Sequence, residues 1–212
     1  MLSTRTNYPP ECEQVVNQTI QLLQSASLTY DVLGATCATE EVSMPGFCKF
    51  YRLCSLRSRK MSEYWINWQT MRGGKMMVSE IKPMIACNEL CQQGLEKLVE
   101  TGVDIEKRVE EQFRHLRQVT QSKEDWATVE YVDRKFLIPQ VVVIKMMVNH
   151  VNGLRLCKNH YVYDRKSMIK ESKTIRRCIQ FRKQVESNCS STCKPEKNVF
   201  STSIWSFTYP IV

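Results

Sequence analysis

The sequence predicts an all-α fold, a four-helix bundle with a long crossover loop, and three observations carry that prediction. Apolar residues recur at three-four spacing over four long stretches. Only seven glycines and seven prolines interrupt 212 residues, which favours long helices over many turns. Two short connections and one long one join the stretches, the pattern of a bundle whose second and third helices run in the same direction. A chain of this length holds one domain with a substantial core and an appendage, whereas two full domains would be cramped.

The first helix covers about residues 9–38, with Val16, Ile20, Leu23, Tyr30, Leu33 and Cys37 on one face. Thr39 to Met44 breaks the pattern, and Pro45 suits the opening turn of a second helix, where a missing amide hydrogen costs nothing. That helix carries Phe47, Tyr51, Cys54, Ser58, Met61, Trp65 and Trp68 in four-three alternation, as in near-antiparallel packed helices. Arg72-Gly73-Gly74 closes it, because glycine accepts the left-handed conformation, and the next residues include Pro83 and show no helical period. A third helix, about 89–121, buries Leu95, Leu98, Ile105, Val109, Phe113, Leu116 and Val119 and leaves Glu106, Lys107, Arg108, Glu110 and Glu111 on other faces.

Ser122 to Asp125 reads as a capping box with Ser122 as the cap, opening a fourth helix that carries Trp126, Val129, Val132, Phe136, Val143, Ile144, Met147 and Val151 as its apolar series. Pro139 interrupts it, removing one backbone hydrogen bond and crowding the carbonyl of Lys135. A bend or a change of hydrogen-bond pattern is expected around Phe136 to Gln140.

The net charge of +8 admits anionic partners without specifying one. The opening MLSTRTNYPPECEQ lacks a basic-then-apolar leader, and no apolar run approaches membrane-spanning length. The ten cysteines are therefore read as thiols of a soluble, cytoplasmic protein with no membrane contact. The glycosylation sequons at Asn17 and Asn188 are then expected to be idle. Cys87-x3-Cys91 and Cys189-x3-Cys193 lack the second ligand pair of a zinc site, and His115, His150 and His160 are too scattered for a catalytic group.

MRGGKMMVSEIKP (71–83) together with residues 106–154, from EKRVEEQF to VNHVNGL, resembles the long loop and last two bundle helices of animal ferritins. VVNQTIQLLQSASLTYDVL (15–33) and FCKFYRLCS (47–55) fit that family's first two helices without a gap, and YVYDRKSM (161–168) is similar to its short fifth helix. The resemblance divides the chain into a ferritin-like bundle at 6–155, a short fifth helix at 156–168 and an extension at 169–212 without a counterpart, expected to be poorly ordered.

That resemblance implies a hollow multi-subunit cage that takes up ferrous iron, oxidises it at paired-metal sites in specialised subunits and stores ferric mineral. The oxidation centre's ligand positions map to Leu23, Ser58 and Met61, none of them a ligand, and to the retained Glu106 and Gln140, with Tyr30 at the family's nearby tyrosine. One carboxylate, one amide and a phenol cannot hold two irons tightly, so ferroxidase activity is expected to be lost, and iron binding at this vestigial site to be weak. From the residues alone, Glu106 is instead a solvated helical acid, Tyr30 a core residue with a wet hydroxyl, and Gln140 a partner for backbone freed by Pro139.

The stretch where the family gathers ferric ions on its cavity side reads Leu53, Leu56, Arg57 and Lys60, whose cations would repel iron. Glu130 and Asp133 share a helix face at positions resembling the acidic pair of the family's threefold channels, although Arg117 at a usual channel histidine argues against a cation path there. The expected partners are cage subunits, the chain's own copies or ferroxidase-competent ferritin subunits. The alternative is a non-iron bundle protein whose tail binds nucleic acid or another polyanion through Lys170, Lys173, Arg176, Arg177, Arg182 and Lys183, with Phe200, Trp205, Phe207 and Tyr209 to stack on bases.

Overall fold

The computed structural model describes residues 4–77, 80–86 and 94–176. Helices α1 (Pro10–Ala38), α2 (Pro45–Met71), α3 (Leu95–Ser122) and α4 (Trp126–Leu156) form the bundle. A fifth helix, α5, begins at His160–Tyr163, passes through a π turn at Asp164–Met168 and stays helical to residue 176. Prolines open α1 and α2, where no amide hydrogen is missed.

All seven α2 positions of the four-three alternation are buried, and the six apolar ones share one core with Ile20, Leu23, Tyr30 and Leu33 of α1. Toward the far end the core is aromatic. Trp65 stacks on Phe136 with ring centroids 4.7 Å apart, and Trp68 lies on Tyr131 at 4.1 Å. Such rings fill the space between α2 and α4 with large, stiff side chains.

Direction follows from the hydrogen bonds between helices. Tyr51 donates to the carbonyl of Leu98 and Arg57 to Glu106, so α3 runs parallel to α2; Tyr30 donates to Glu106 while Gln112 donates to Thr19, so α3 is antiparallel to α1. The crossover makes this possible by travelling along α1. Lys75 N donates to Glu13, Met77 N to the Asn17 side chain and Met84 N to Thr29, while Gln21 donates to the carbonyl of Glu80. Gly73, at φ +78°, makes the left-handed turn that starts it. Asn17 is half-buried and anchors the loop through Lys75 and Met77, while Thr19 of the same sequon is wholly buried.

The hydrogen-bond pattern of α4 changes where Pro139 demands it. Asp133–Leu137 forms a π turn, the amide of Ile138 reaching back to the carbonyl of Asp133, and the helix resumes at Ile138. At 31 residues α4 is long and apolar enough to cross a membrane by length and composition alone, yet it carries Asp133, Arg134, Lys135 and Lys145 along its length. Its inward side forms one wall of the core.

Three expectations need correction. The cap of α4 is Asp125, not Ser122: Ser122 ends α3, while the Asp125 carboxylate accepts from the Thr128 amide and hydroxyl and is held by Arg72 at 2.9 Å. The boundary at 168 is not structural, because Ser172 and Ile175 continue the buried stripe begun by Asp164 and Met168. Arg57, read as a cavity-side cation, points inward and is buried together with Leu53, leaving Leu56 and Lys60 outside. The first residues of the expected third helix, Cys87 and Cys91, and residues 177–212, including the second sequon and the aromatic stretch, lie outside the described residues.

Candidate functional site

Four polar side chains, one from each bundle helix, converge at mid-length in an apolar interior. They are Tyr30 of α1, Arg57 of α2, Glu106 of α3 and Gln140 of α4, none more than 6% exposed. Each sits on a helical stripe whose other members are apolar. Phe50, Leu53 and Arg57 fall at i, i+3 and i+7, and Val99, Val103 and Glu106 at i, i+4 and i+7, so helix geometry turns the two charges inward.

Charge pairing makes this tolerable. Arg57 Nη1 donates to both Glu106 carboxylate oxygens, at 2.9 and 3.1 Å, and Nη2 donates to Gln140 Oε1 at 2.5 Å. Gln140 Nε2 donates in turn to Glu106 Oε2 at 2.5 Å and to the Glu106 carbonyl at 3.0 Å. Tyr30 completes the set, its hydroxyl donating to Glu106 Oε1 at 2.6 Å. An uncompensated charge here would be severely penalised, whereas a guanidinium spread over a carboxylate and an amide is desolvated as a neutral unit.

Burial, and then the Glu106 charge, push the Tyr30 phenol well above its ordinary pKa, so it stays a donor. The same two causes raise the nearby Cys54 thiol, making it an inert core group. Arg57 Nε has no hydrogen-bond partner among the described residues and borders a cavity of about 10 Å³, large enough for a single water.

Of the residue-level expectations for this region, the placement of Tyr30 in the core holds and the others change. Glu106 is not solvated, the Tyr30 hydroxyl is not wet, and Gln140 donates to α3 rather than to backbone released by Pro139. A pair of ferrous ions calls for several carboxylate and imidazole donors. The one carboxylate present has both oxygens on a guanidinium, Leu23 and Met61 are core side chains, and Ser58 is buried among them. These residues do not fit a metal pair. Among the described residues, no three His, Cys, Asp or Glu side chains are grouped to hold an ion.

Arg57 is the residue of this network that sequence reasoning misplaced. The legible signal was a lone arginine in register with Phe50 and Leu53, facing a lone acid in register with Val99 and Val103. Glu130 and Asp133 lie apart from the network near the start of α4. Asp133 accepts from Arg117 Nε at 2.8 and 3.0 Å, and Glu130 pairs with Arg134 at 2.9 Å. His150 and His160 are structural: His150 shares a 3.0 Å hydrogen bond with the Tyr163 hydroxyl, and His160 lies 3.7 Å from Glu96.

Comparison with known proteins agrees with this architecture. The chain is 30% identical over 161 residues to a chloroplastic ferritin of Malus baccata var. xiaojinensis, covering 75% of this chain and 64% of that one. It is 27% identical over 150 residues to a ferritin middle subunit of Salmo salar, covering 71% of this chain and 84% of that one. It is 28% identical over 172 residues to a ferritin heavy chain of Echinococcus granulosus, covering 79% and 97%. The match thus spans less than two thirds of the plant relative's length. The family model for the ferritin-like domain matches residues 13–157, which take in the four bundle helices apart from the first turn of α1, and the buried network, so the chain belongs to the ferritin family.

Proposed function

We propose that this chain is a shell subunit of an iron-storage cage, lacking ferroxidase activity and depending on oxidation-competent ferritin subunits to convert ferrous iron. One observation carries the reading: the Arg57 guanidinium occupies the polar centre of the bundle, bound to Glu106 and Gln140. A ferrous ion would have to displace a cation already hydrogen-bonded to the carboxylate it needs, and repulsion between like charges a few ångströms apart is strong in such an interior. The bundle keeps its shape without metal because the ion pair and the apolar Leu23 and Met61 fill the space.

Passage of iron along the start of α4 is weakened on the same grounds, since Arg117 and Arg134 cancel Asp133 and Glu130. Free thiols at Cys12, Cys37, Cys48, Cys54 and Cys157 suit a reducing compartment such as the cytoplasm. The test is solution mass and bound iron of the chain, purified alone and after co-expression with an oxidation-competent ferritin subunit. Large iron-loaded particles only in the mixture are expected. Monomers in both preparations would overturn the storage role.

A second reading rests on α5, which exposes Arg165, Lys166, Lys170, Lys173 and Arg176 along its outer side. Such a row suits a polyanion such as nucleic acid, and retention on immobilised duplex DNA that falls steeply with salt would favour it.

A further inference from the structure

The fifth helix is pinned to the bundle at both ends. At its start, the Asp164 carboxylate is fully buried and accepts from the first free amides of α2, Gly46 N at 2.9 Å and Phe47 N at 2.7 Å. Helix N-termini favour an anion in this position. The fit is close enough to need glycine, because a Cβ on Gly46 would stand 2.6 Å from the Asp164 carbonyl oxygen. From there Asp164, Met168, Ser172 and Ile175, spaced four, four and three, form the buried stripe, while Arg165, Lys166, Lys170, Lys173 and Arg176 face outward.

The far end of the stripe lands on the candidate site. Ile175, 2% exposed, lines the same small cavity as Leu53, Cys54, Arg57, Glu106 and Val143. It therefore stands where the groove between α2 and α4 reaches the ion pair.

We propose that segment 164–176 is a strap that closes the α2–α4 groove and seals the Arg57–Glu106 pair and the Cys54 thiol from solvent. It holds whether or not the chain enters an iron-storage cage. A strap of this kind keeps the pair in a low-dielectric setting, where its hydrogen bonds are strongest. It also bars dissolved ions from the polar centre independently of the missing ligands. Its attachment is local, so it opens by releasing Met168 and Ile175 without unfolding the bundle.

Cys54 reports directly on that opening. The full-length protein is treated with N-ethylmaleimide under native conditions, and labelling of Cys54 is followed by peptide mass mapping beside Cys12, a buried thiol in the first turn of α1. Ile175→Ala removes the seal, and Met168→Ala loosens the middle of the strap without touching the cavity lining. Both are expected to speed labelling of Cys54 roughly tenfold or more, with Cys12 unchanged. A Cys54 rate equal in all three proteins, or one that rises in step with Cys12, would overturn the strap.

Discussion

Replacing Arg57 with methionine is expected to destabilise the protein by about 2–4 kcal/mol. The substitution keeps an unbranched side chain of similar length and removes three hydrogen bonds, two to Glu106 and one to Gln140. At an effective dielectric constant of ~20 and a charge separation of ~4 Å, the lost attraction is about 4 kcal/mol. Leaving a buried carboxylate without its cation costs about 3–5 kcal/mol in comparable cases, and the apolar methionine recovers about 1 kcal/mol. For a chain of this size that corresponds to a melting temperature lower by about 4–16 °C. Thermal and urea denaturation at fixed protomer concentration measure it, because assembly would otherwise shift the midpoint.

The companion variant Arg57→Met with Glu106→Leu isolates the cause. Tyr30 retains the Gly102 carbonyl at 3.3 Å, and Gln140 retains the Glu106 carbonyl at 3.0 Å. The double variant is therefore expected to recover most of the loss, as buried ion pairs replaced by apolar groups do. A single variant within about 1 kcal/mol of wild type, or a double variant no better than the single, would refute the reasoning.

Two further outcomes follow from the packing of α5. Burial lowers the His150 pKa from 6.5 to about 4, so between those values the unfolded chain binds a proton that the folded ring does not. Stability contributed at neutral pH is thus lost as pH falls from about 6.5 to about 4, by roughly 2–3 kcal/mol. Denaturation midpoints across that range should fall less steeply in His150→Gln. Gly46→Ala forces its methyl group against Asp164, so α5 should detach or shift. Faster amide exchange at residues 164–176 would show it, whereas unchanged exchange would mean that the contact relaxes without consequence.

Much of the fold was legible because it depends on periodicity within each helix. The α2 alternation from Phe47 to Trp68 is buried throughout, and Pro139 announced the π turn that precedes it. Interactions between distant segments were not legible. Arg57 finds Glu106 49 residues later, and Asp164 caps a helix that begins more than a hundred residues earlier. A charged side chain beside an apolar stripe reads as surface until its partner arrives from another helix. The α4 cap was misread for a related reason: Ser122 and Asp125 both have capping side chains, and the pairing of Asp125 with Arg72 decides between them.

On this reading the Arg57 guanidinium has taken the place of metal at the centre of the bundle. Oxygen consumption after ferrous iron is added to the purified chain, in the absence of any other subunit, tests that claim most directly. The rate should equal that of iron in buffer alone. Catalysed oxygen uptake that disappears in Glu106→Ala would show that the site still works on iron, and would contradict the account.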